Sequence, residues 1–510
     1  MNIIEATLNV LHLFEKSAAE NPGSLAIKHS AGEISYAVLL DAVRRLAGGL
    51  VRKGVGRDSR IALILPNIPH FVISYLAIFR SGAVVVPIQY GLSEYELLPM
   101  LEEAEVDTII CWSGDLLSVQ NVSRKLQNVK RVIVLGETKS GTTISLTRLI
   151  SQSQPLLEPV EIDDDDVALI RVSNGRTGRP VAAEFTHQAL FANCVALRDT
   201  LEITQNDLIA TLIPLADVTA EGLVLNLSFS AGCGIILSPG FEWSSFASQL
   251  KDSGATLFVG YPSHFIELAK FNFENFHSTT LRLSLCTGGS LEEEVLKNFE
   301  RIFGGYTLEG YALGEAGPVI ALNKWRTGRR VGSLGHPLPG IDMRILGKSG
   351  KECSIGEIGE IVVRGSSIMR GFSGRQRLST LRITDRWLKS GDFGRMDING
   401  FFYYSGCEID RIVTDGKAFY VHEIERLLNL HPGVAESVVV IVEDDGMLLL
   451  KACVVPSAIY EFSTEEIDEF LHRHLSDYKC PDLIRIYKSL PQMKNGEVDR
   501  EELSGAVHDD

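Results

Sequence analysis

The sequence predicts an α/β protein: a large N-terminal domain of doubly wound sheets followed by a small α+β domain. Three observations predict it. The chain has 510 residues, more than one hydrophobic core usually supports, so at least two domains are expected. Over most of its length, apolar runs bounded by glycine or proline alternate with helix-like stretches, the pattern of parallel βαβ units. After about residue 405 that pattern gives way to closely spaced short strands and helices.

Taken in order, RIALILPN (60–67) reads as a buried strand, PHFVISYLAIFRSG (69–82) as an amphipathic helix ending at Gly82, and AVVVPIQ (83–89) as a second strand. The same kind of run recurs at VKRVIVLG (129–136), GCGIILSP (232–239), GATLFVGYP (254–262) and LRLSLCTGG (281–289), with helices covering both sheet faces. The acidic run EIDDDD (161–166) reads as a solvated connection, because consecutive acids point in different directions and make a poor metal cage. GKAFYVHEIERLLNL, AESVVVIV, LLLKACVV and STEEIDEFLHRHL, between 416 and 475, supply enough elements for the small domain.

Composition narrows the function. A formal charge of −16 disfavours a nucleic-acid partner, which would demand clustered Lys and Arg. No apolar run approaches membrane-spanning length and no cleavage-site pattern opens the chain, so no membrane association is expected. The eight cysteines, at 111, 194, 233, 286, 353, 407, 453 and 480, form no CxxC pair, which fits a reducing, cytoplasmic setting. Small-molecule chemistry is the expectation.

Two loops carry it. VSNGRTGRPVAAEFTH (172–187) follows a buried strand, and its glycines and hydroxyls suit a phosphate cradle. LPQMKNGEVDREEL (490–503) lies near the C terminus. Together with LEGYALGEAG (308–317), SLCTGGSL (284–291), VGSLGHPLPG, IGEIGEIVVRG and WLKSGDFGRMDINGFFYYSG, they resemble in order the motifs of the adenylate-forming superfamily of acyl-CoA synthetases and AMP-binding ligases. The first loop matches that family's YTSGTTGxPKGVxxTH at Gly175, Thr177, Gly178, Pro180, Thr186 and His187. The likeness covers essentially the whole chain.

The resemblance implies a β-barrel-like part late in the large domain, and a division into residues 1–408 and 409–510 about a hinge near Ile409 and Asp410. It implies nucleotide binding by Thr177, Gly178 and Gly310, adenine stacking on Tyr311, a ribose contact from Asp392 and a magnesium contact from Glu315. It implies that the segment holding Gly416 lines a coenzyme A tunnel. An acyl pocket is expected around Asp217, Phe258, Tyr261, Ala312 and Leu313, with His187 or the backbone near Gly288 and Gly289 steadying the oxyanion. At Asp217 acyl-CoA synthetases usually carry histidine, whereas peptide-synthetase adenylation domains place an aspartate nearby to grip an amine. An amine-bearing acyl group and a plain helix N-cap are both open there.

Three cations of the pattern are missing. The phosphate-loop lysine is Val181, an arginine near the hinge is Cys407, and the C-terminal catalytic lysine is Glu497. Losing one transition-state donor typically costs about 10²–10³ in rate, and a carboxylate beside pyrophosphate adds repulsion. The losses fall on ATP's phosphates, while adenosine contacts are retained. The leading expectation is therefore an acyl-CoA ligase-like enzyme impaired in adenylation, which transfers a preformed acyl-adenylate to coenzyme A. Its substrates would be the acyl-adenylate and CoA, Mg2+ would be dispensable, and a partner adenylating ligase or carrier protein would complete the pathway. Two alternatives stand beside it: an inactive AMP-binding scaffold, and a complete acyl-CoA or carrier-protein ligase rescued by Arg176.

Overall fold

The computed structural model describes residues 9–136, 143–173, 179–238, 243–271, 280–289, 291, 293–325, 328–347, 349–407, 411–414, 417–444, 447–457, 463–491, 498 and 500–504. At 405–407, 411–414, 417–420, 422, 423, 426, 444, 447 and 501 the description is of backbone alone.

Two large sheets form the N-terminal part. One has eight strands, with Val167–Ser173, Val84–Pro87, Arg60–Ile64, Thr108–Trp112 and Arg131–Leu135 adjacent and parallel. The other has nine, in which Gly234–Ile236, Leu208–Thr211, Leu257–Gly260, Leu283–Thr287 and Tyr306–Leu313 run parallel. Helices Tyr36–Arg52, Pro69–Arg80 and His187–Thr200 contribute to the largest apolar core, and separate cores cover parts of both sheets.

The helix read as amphipathic differs from that reading. Phe71 to Arg80 are all buried, because the helix lies inside the largest core rather than on the surface. It ends where Gly82 takes φ +72, against Val160, a left-handed stop that favours glycine. The acidic run is solvated as expected, with Arg57 bridging Asp163 at 2.7 Å and Asp166 at 2.5 Å. The part expected to be barrel-like is a five-stranded antiparallel sheet of Ile341–Leu346, Gly359–Gly365, Ile383–Thr384, Trp387–Met396 and Phe402–Cys407.

The small domain packs helices Val421–Leu428 and Thr464–His474 on a sheet of Val434–Asp444, Met447–Pro456 and Leu483–Ile486. It rests on helix Glu94–Glu103 of the large domain. There Lys479 pairs with Glu96 at 2.8 Å, with side-chain exposures of 5% and 3%. Ser476 donates to Glu96 at 2.8 Å, Ser93 donates to the His474 carbonyl at 2.5 Å, and Tyr95 meets the His474 ring edge-on. Glu96 also closes a capping box with Ser93, so the helix terminus and the docking contact share one carboxylate.

Candidate active site

The candidate site lies at the carboxyl ends of the parallel strands of the nine-stranded sheet, where open α/β sheets bind ligands. Strand Tyr306–Leu313 brings Tyr311 to the edge and strand Trp387–Met396 brings Asp392 opposite it. The Tyr311 hydroxyl donates to Asp392 Oδ2 at 2.5 Å. Burial, and then the Asp392 charge, push the phenol well above its ordinary value, so it stays a donor. The backbone N–H of Asp392 donates to Ser390 Oγ at 2.9 Å, and Ser390 donates to the Ile361 carbonyl at 2.6 Å. The two residues assigned to adenosine are thus joined and braced. Gly310 packs against Val319 and Leu322 of the antiparallel neighbour, where a Cβ would stand 3.0 Å from Leu322.

Glu315 sits in the turn after that strand. Its carboxylate is held by the Arg382 guanidinium at 2.9 Å, and Arg382 also donates to the Ser390 carbonyl at 3.4 Å. Arg382, the last residue of helix Gln376–Arg382, went unsingled in the sequence because 67 residues separate it from its partner. The carboxylate expected to meet magnesium is thus already paired with a guanidinium.

Glu309 is a second residue that sequence reasoning missed. It is buried and accepts backbone N–H groups from Leu291 and Gly332 at 3.0 and 3.1 Å, tying the turn after Thr287 to the loop before Ser333. Burial raises its carboxyl despite those bonds. An acid inside an otherwise apolar strand was the available signal.

Among the residues expected to line an acyl pocket, Tyr261 donates to Asp217 Oδ1 at 2.6 Å and approaches Thr219 Oγ1 at 3.1 Å. Asp217 caps the short helix Val218–Ala220 through the same oxygen, which takes the Thr219 N–H at 2.8 Å. The capping role left open by the sequence is present. Gly288 has φ +81 and lies flush against the Tyr261 ring, where a Cβ would meet Cδ1 at 3.0 Å; Gly289 lies similarly against Pro262. Ala312 occupies a bulge between Tyr311 and Leu313, and Leu313 joins the largest core.

Two expectations are corrected. His187 is not at this site. Strand Val181–Thr186 pairs antiparallel with Val167–Ser173, so Val181 opposite Ser173 is at the loop end, and His187 lies beyond the other end, about 20 Å away along the strand. There its N–H donates to the Asp166 carbonyl, and its ring stands edge-on to Phe79 at 5.4 Å. Burial lowers it to about 4, and it borders a polar cleft that includes Arg57, Lys130 and Arg370. Phe258 is not in the acyl pocket either. Pleating turns it opposite to Leu257 and Val259, into a separate core with Phe246, Phe265 and Phe299 at ring distances of 5.8, 5.2 and 5.8 Å.

Of the missing cations, Val181 is half-buried against the largest core. Cys407 stands in register opposite Asp392 along the backbone. Arg176, Thr177, Gly178, Ile409, Asp410, Gly416 and Glu497 lie outside the described residues. The retained residues of the last motif are structural: Leu490 and Leu503 share a small core, and Arg500 binds Glu425 at 2.8 Å and the Val439 carbonyl at 2.9 Å.

This fold, with paired Tyr311 and Asp392 at the sheet edge, defines an adenylate-forming type of protein. Residues 14–373 match the family model for AMP-binding enzyme and 423–497 the model for its C-terminal domain, and the chain belongs to that family. It is 29% identical to the long-chain-fatty-acid–CoA ligase of Bacillus subtilis strain 168, over 96% of this chain and 92% of the relative. It is 28% identical to a feruloyl-CoA synthase from an Amycolatopsis species, covering 95% and 96%. Among solved structures, a double mutant of o-succinylbenzoate CoA synthetase (MenE) from Bacillus subtilis, bound with its product analogue OSB-NCoA, superposes with a TM-score of 0.84 at 23% identity, covering 97% and 98%.

Proposed function

We propose that this chain is an acid–CoA-ligase-type enzyme specialised for the second half-reaction: it takes a preformed acyl-adenylate and transfers the acyl group to the thiol of coenzyme A. One observation carries the reading. The positions where the family pattern sets cations on ATP's phosphates hold Val181 and Glu497, while the adenosine pair Tyr311–Asp392 is intact. An acyl-adenylate keeps adenine, ribose and one phosphate and has no pyrophosphate to neutralise.

In the transfer, the CoA thiolate sulfur attacks the acyl carbonyl carbon and the π electrons move onto oxygen. When the carbonyl re-forms, the bond from carbon to the phosphate oxygen breaks and AMP leaves with that electron pair. The thiol proton passes to solvent. Because AMP is already a good leaving group, holding thiol and anhydride together supplies much of the rate. Tyr311 and Asp392 hold the adenosine, the backbone at Gly288 and Gly289 faces the developing oxyanion, and Tyr261 with Asp217 walls the acyl group. The segment from Ile409 to Gly416 provides the hinge and the CoA path, dividing the chain at about residue 408. A separate adenylating ligase supplies the substrate.

The test is to mix the purified protein with CoA and a panel of chemically made acyl-adenylates, without ATP, and to follow thioester by mass spectrometry. Protein-dependent thioester supports the proposal. Pyrophosphate exchange into ATP would instead make the protein a complete ligase, the activity for which the curated relatives are named. Neither reaction would leave a nucleotide-binding subunit. Val181→Lys combined with Glu497→Lys should raise the exchange rate.

A further inference from the structure

The nucleotide wall carries its own cation. Arg382 lies 2.9 Å from the Glu315 carboxylate and 3.4 Å from the Ser390 carbonyl, two residues from Asp392. Its side chain is 15% exposed and that of Glu315 is 26%, so this is a partly desolvated pair rather than a surface contact. A guanidinium stays charged at any working pH and presents five donors in a fixed fork. Here the fork is only partly used: Nε is buried and meets no hydrogen-bond acceptor among the described residues. Both bonds to Glu315 and Ser390 come from Nη2, so the other donors of the fork are unused among the described residues.

We propose that Arg382 replaces the divalent cation at Glu315, so that adenylate binding and acyl transfer proceed without Mg2+. Charge balance fits. Mg2+ demands oxygen ligands at about 2.0–2.1 Å in octahedral geometry, and at Glu315 it would have to displace or crowd a fixed positive group. ATP carries several negative charges that a metal must help neutralise, whereas the phosphate of an acyl-adenylate carries one. A single guanidinium with spare N–H donors is matched to that one phosphate. The open space beside Gly314, where an added Cβ would meet nothing within 4 Å, leaves the turn free of the side chain the family pattern places there.

This inference rests on the adenylate-consuming reading, but its test needs no turnover. AMP is the probe. Calorimetric titration of the full chain should give the same AMP affinity in EDTA and in Mg2+, and Mn2+ added with AMP should show no bound-ion signal by electron paramagnetic resonance. Arg382→Ala should lose about tenfold in AMP affinity in EDTA, recover part of it with Mg2+, and acquire a bound-Mn2+ signal. Arg382→Lys should keep the metal-independent behaviour. If Arg382→Ala does not fold, Glu315→Gln decides the matter: with Arg382 still present, AMP binding should remain indifferent to Mg2+. A wild-type protein that binds Mn2+ with AMP, or whose AMP affinity rises with Mg2+ in a way Glu315→Gln abolishes, overturns the proposal. A failure to make thioester from any acyl-adenylate, with AMP binding unchanged by metal, would instead count against the functional reading alone.

Discussion

Two buried ion pairs invite comparison because they are equally hidden and differently placed. Arg171 and Glu221 meet at 2.5 Å inside the large domain, with side-chain exposures of 10% and 1%. Around them, Tyr75 donates to Glu221 at 2.6 Å, Asn226 donates to the same oxygen, and Arg171 reaches the Gly314 carbonyl at 3.3 Å beside Glu315. Lys479 and Glu96 are as deeply buried, yet they join two domains across a boundary. The first pair cannot open without unfolding the core that holds strand Val167–Ser173 and the π-helix Glu221–Asn226 together. The second can be relieved by undocking. Burial alone therefore does not tell a brace from a latch; what matters is whether water can reach the partners by a rigid-body step.

The largest expected effect follows from breaking the brace. Glu221→Ala leaves Arg171 uncompensated and removes the nearer of the two acceptors of Tyr75, and should cost about 3–5 kcal/mol. The check is the shift of the large-domain urea transition, and a midpoint unchanged from wild type would show that the pair is not structural.

Acid should act first on the large domain and only then on the docking contact. His187 and His264 are both lowered by burial from 6.5 to about 4, so each is neutral in the fold. The unfolded chain takes up those protons first, so stability is complete above pH 6.5 and falls progressively between 6.5 and 4, by up to about 3 kcal/mol per histidine. Glu96 behaves differently. Burial alone would raise it, but Lys479, Ser93 and Ser476 more than offset that and hold it below its ordinary 4.5. Its contribution to docking is complete above that ordinary value and is lost only as pH falls through the depressed one. Acid titration should therefore weaken the large domain before the domains part; scattering that shows separation already at pH 6 would contradict the order.

The smallest effect on stability is expected at the latch. Lys479→Met should change the large-domain transition by about 1 kcal/mol or less, because Glu96 regains water when the small domain lifts away. The change should appear instead as a larger radius of gyration in small-angle scattering. The swap Glu96→Lys with Lys479→Glu should restore compactness, and a single variant as compact as wild type would remove the latch from the comparison.

The same distinction explains what was legible in the sequence. Periodicity and glycine boundaries located the parallel strands because those signals are local. Tyr311 and Asp392 were legible through ordered motifs, and the hydrogen bond between them adds the reason they belong together. Arg382, Glu309 and Lys479 were not, since each acts through a partner remote in sequence or a backbone brought near only by folding. His187 was misplaced because a motif compresses geometry: the loop and the histidine share sixteen residues of sequence but occupy opposite ends of a hairpin. Counting the six residues of Val181–Thr186 as extended chain would have exposed the gap.

On the proposed reading, in which Gly288 and Tyr261 border the acyl group, their close approach has a practical consequence for anyone redirecting the protein to other acids. The glycine is pinned both by its left-handed backbone and by the ring 3.0 Å from where a Cβ would stand, so it offers no room for tuning. The adjustable wall is the tyrosine, whose hydroxyl is held by Asp217 and Thr219. A retargeting library is best spent on those three side chains varied together, since trimming the ring alone takes one donor from Asp217 and leaves it only in its capping bond to the Thr219 N–H.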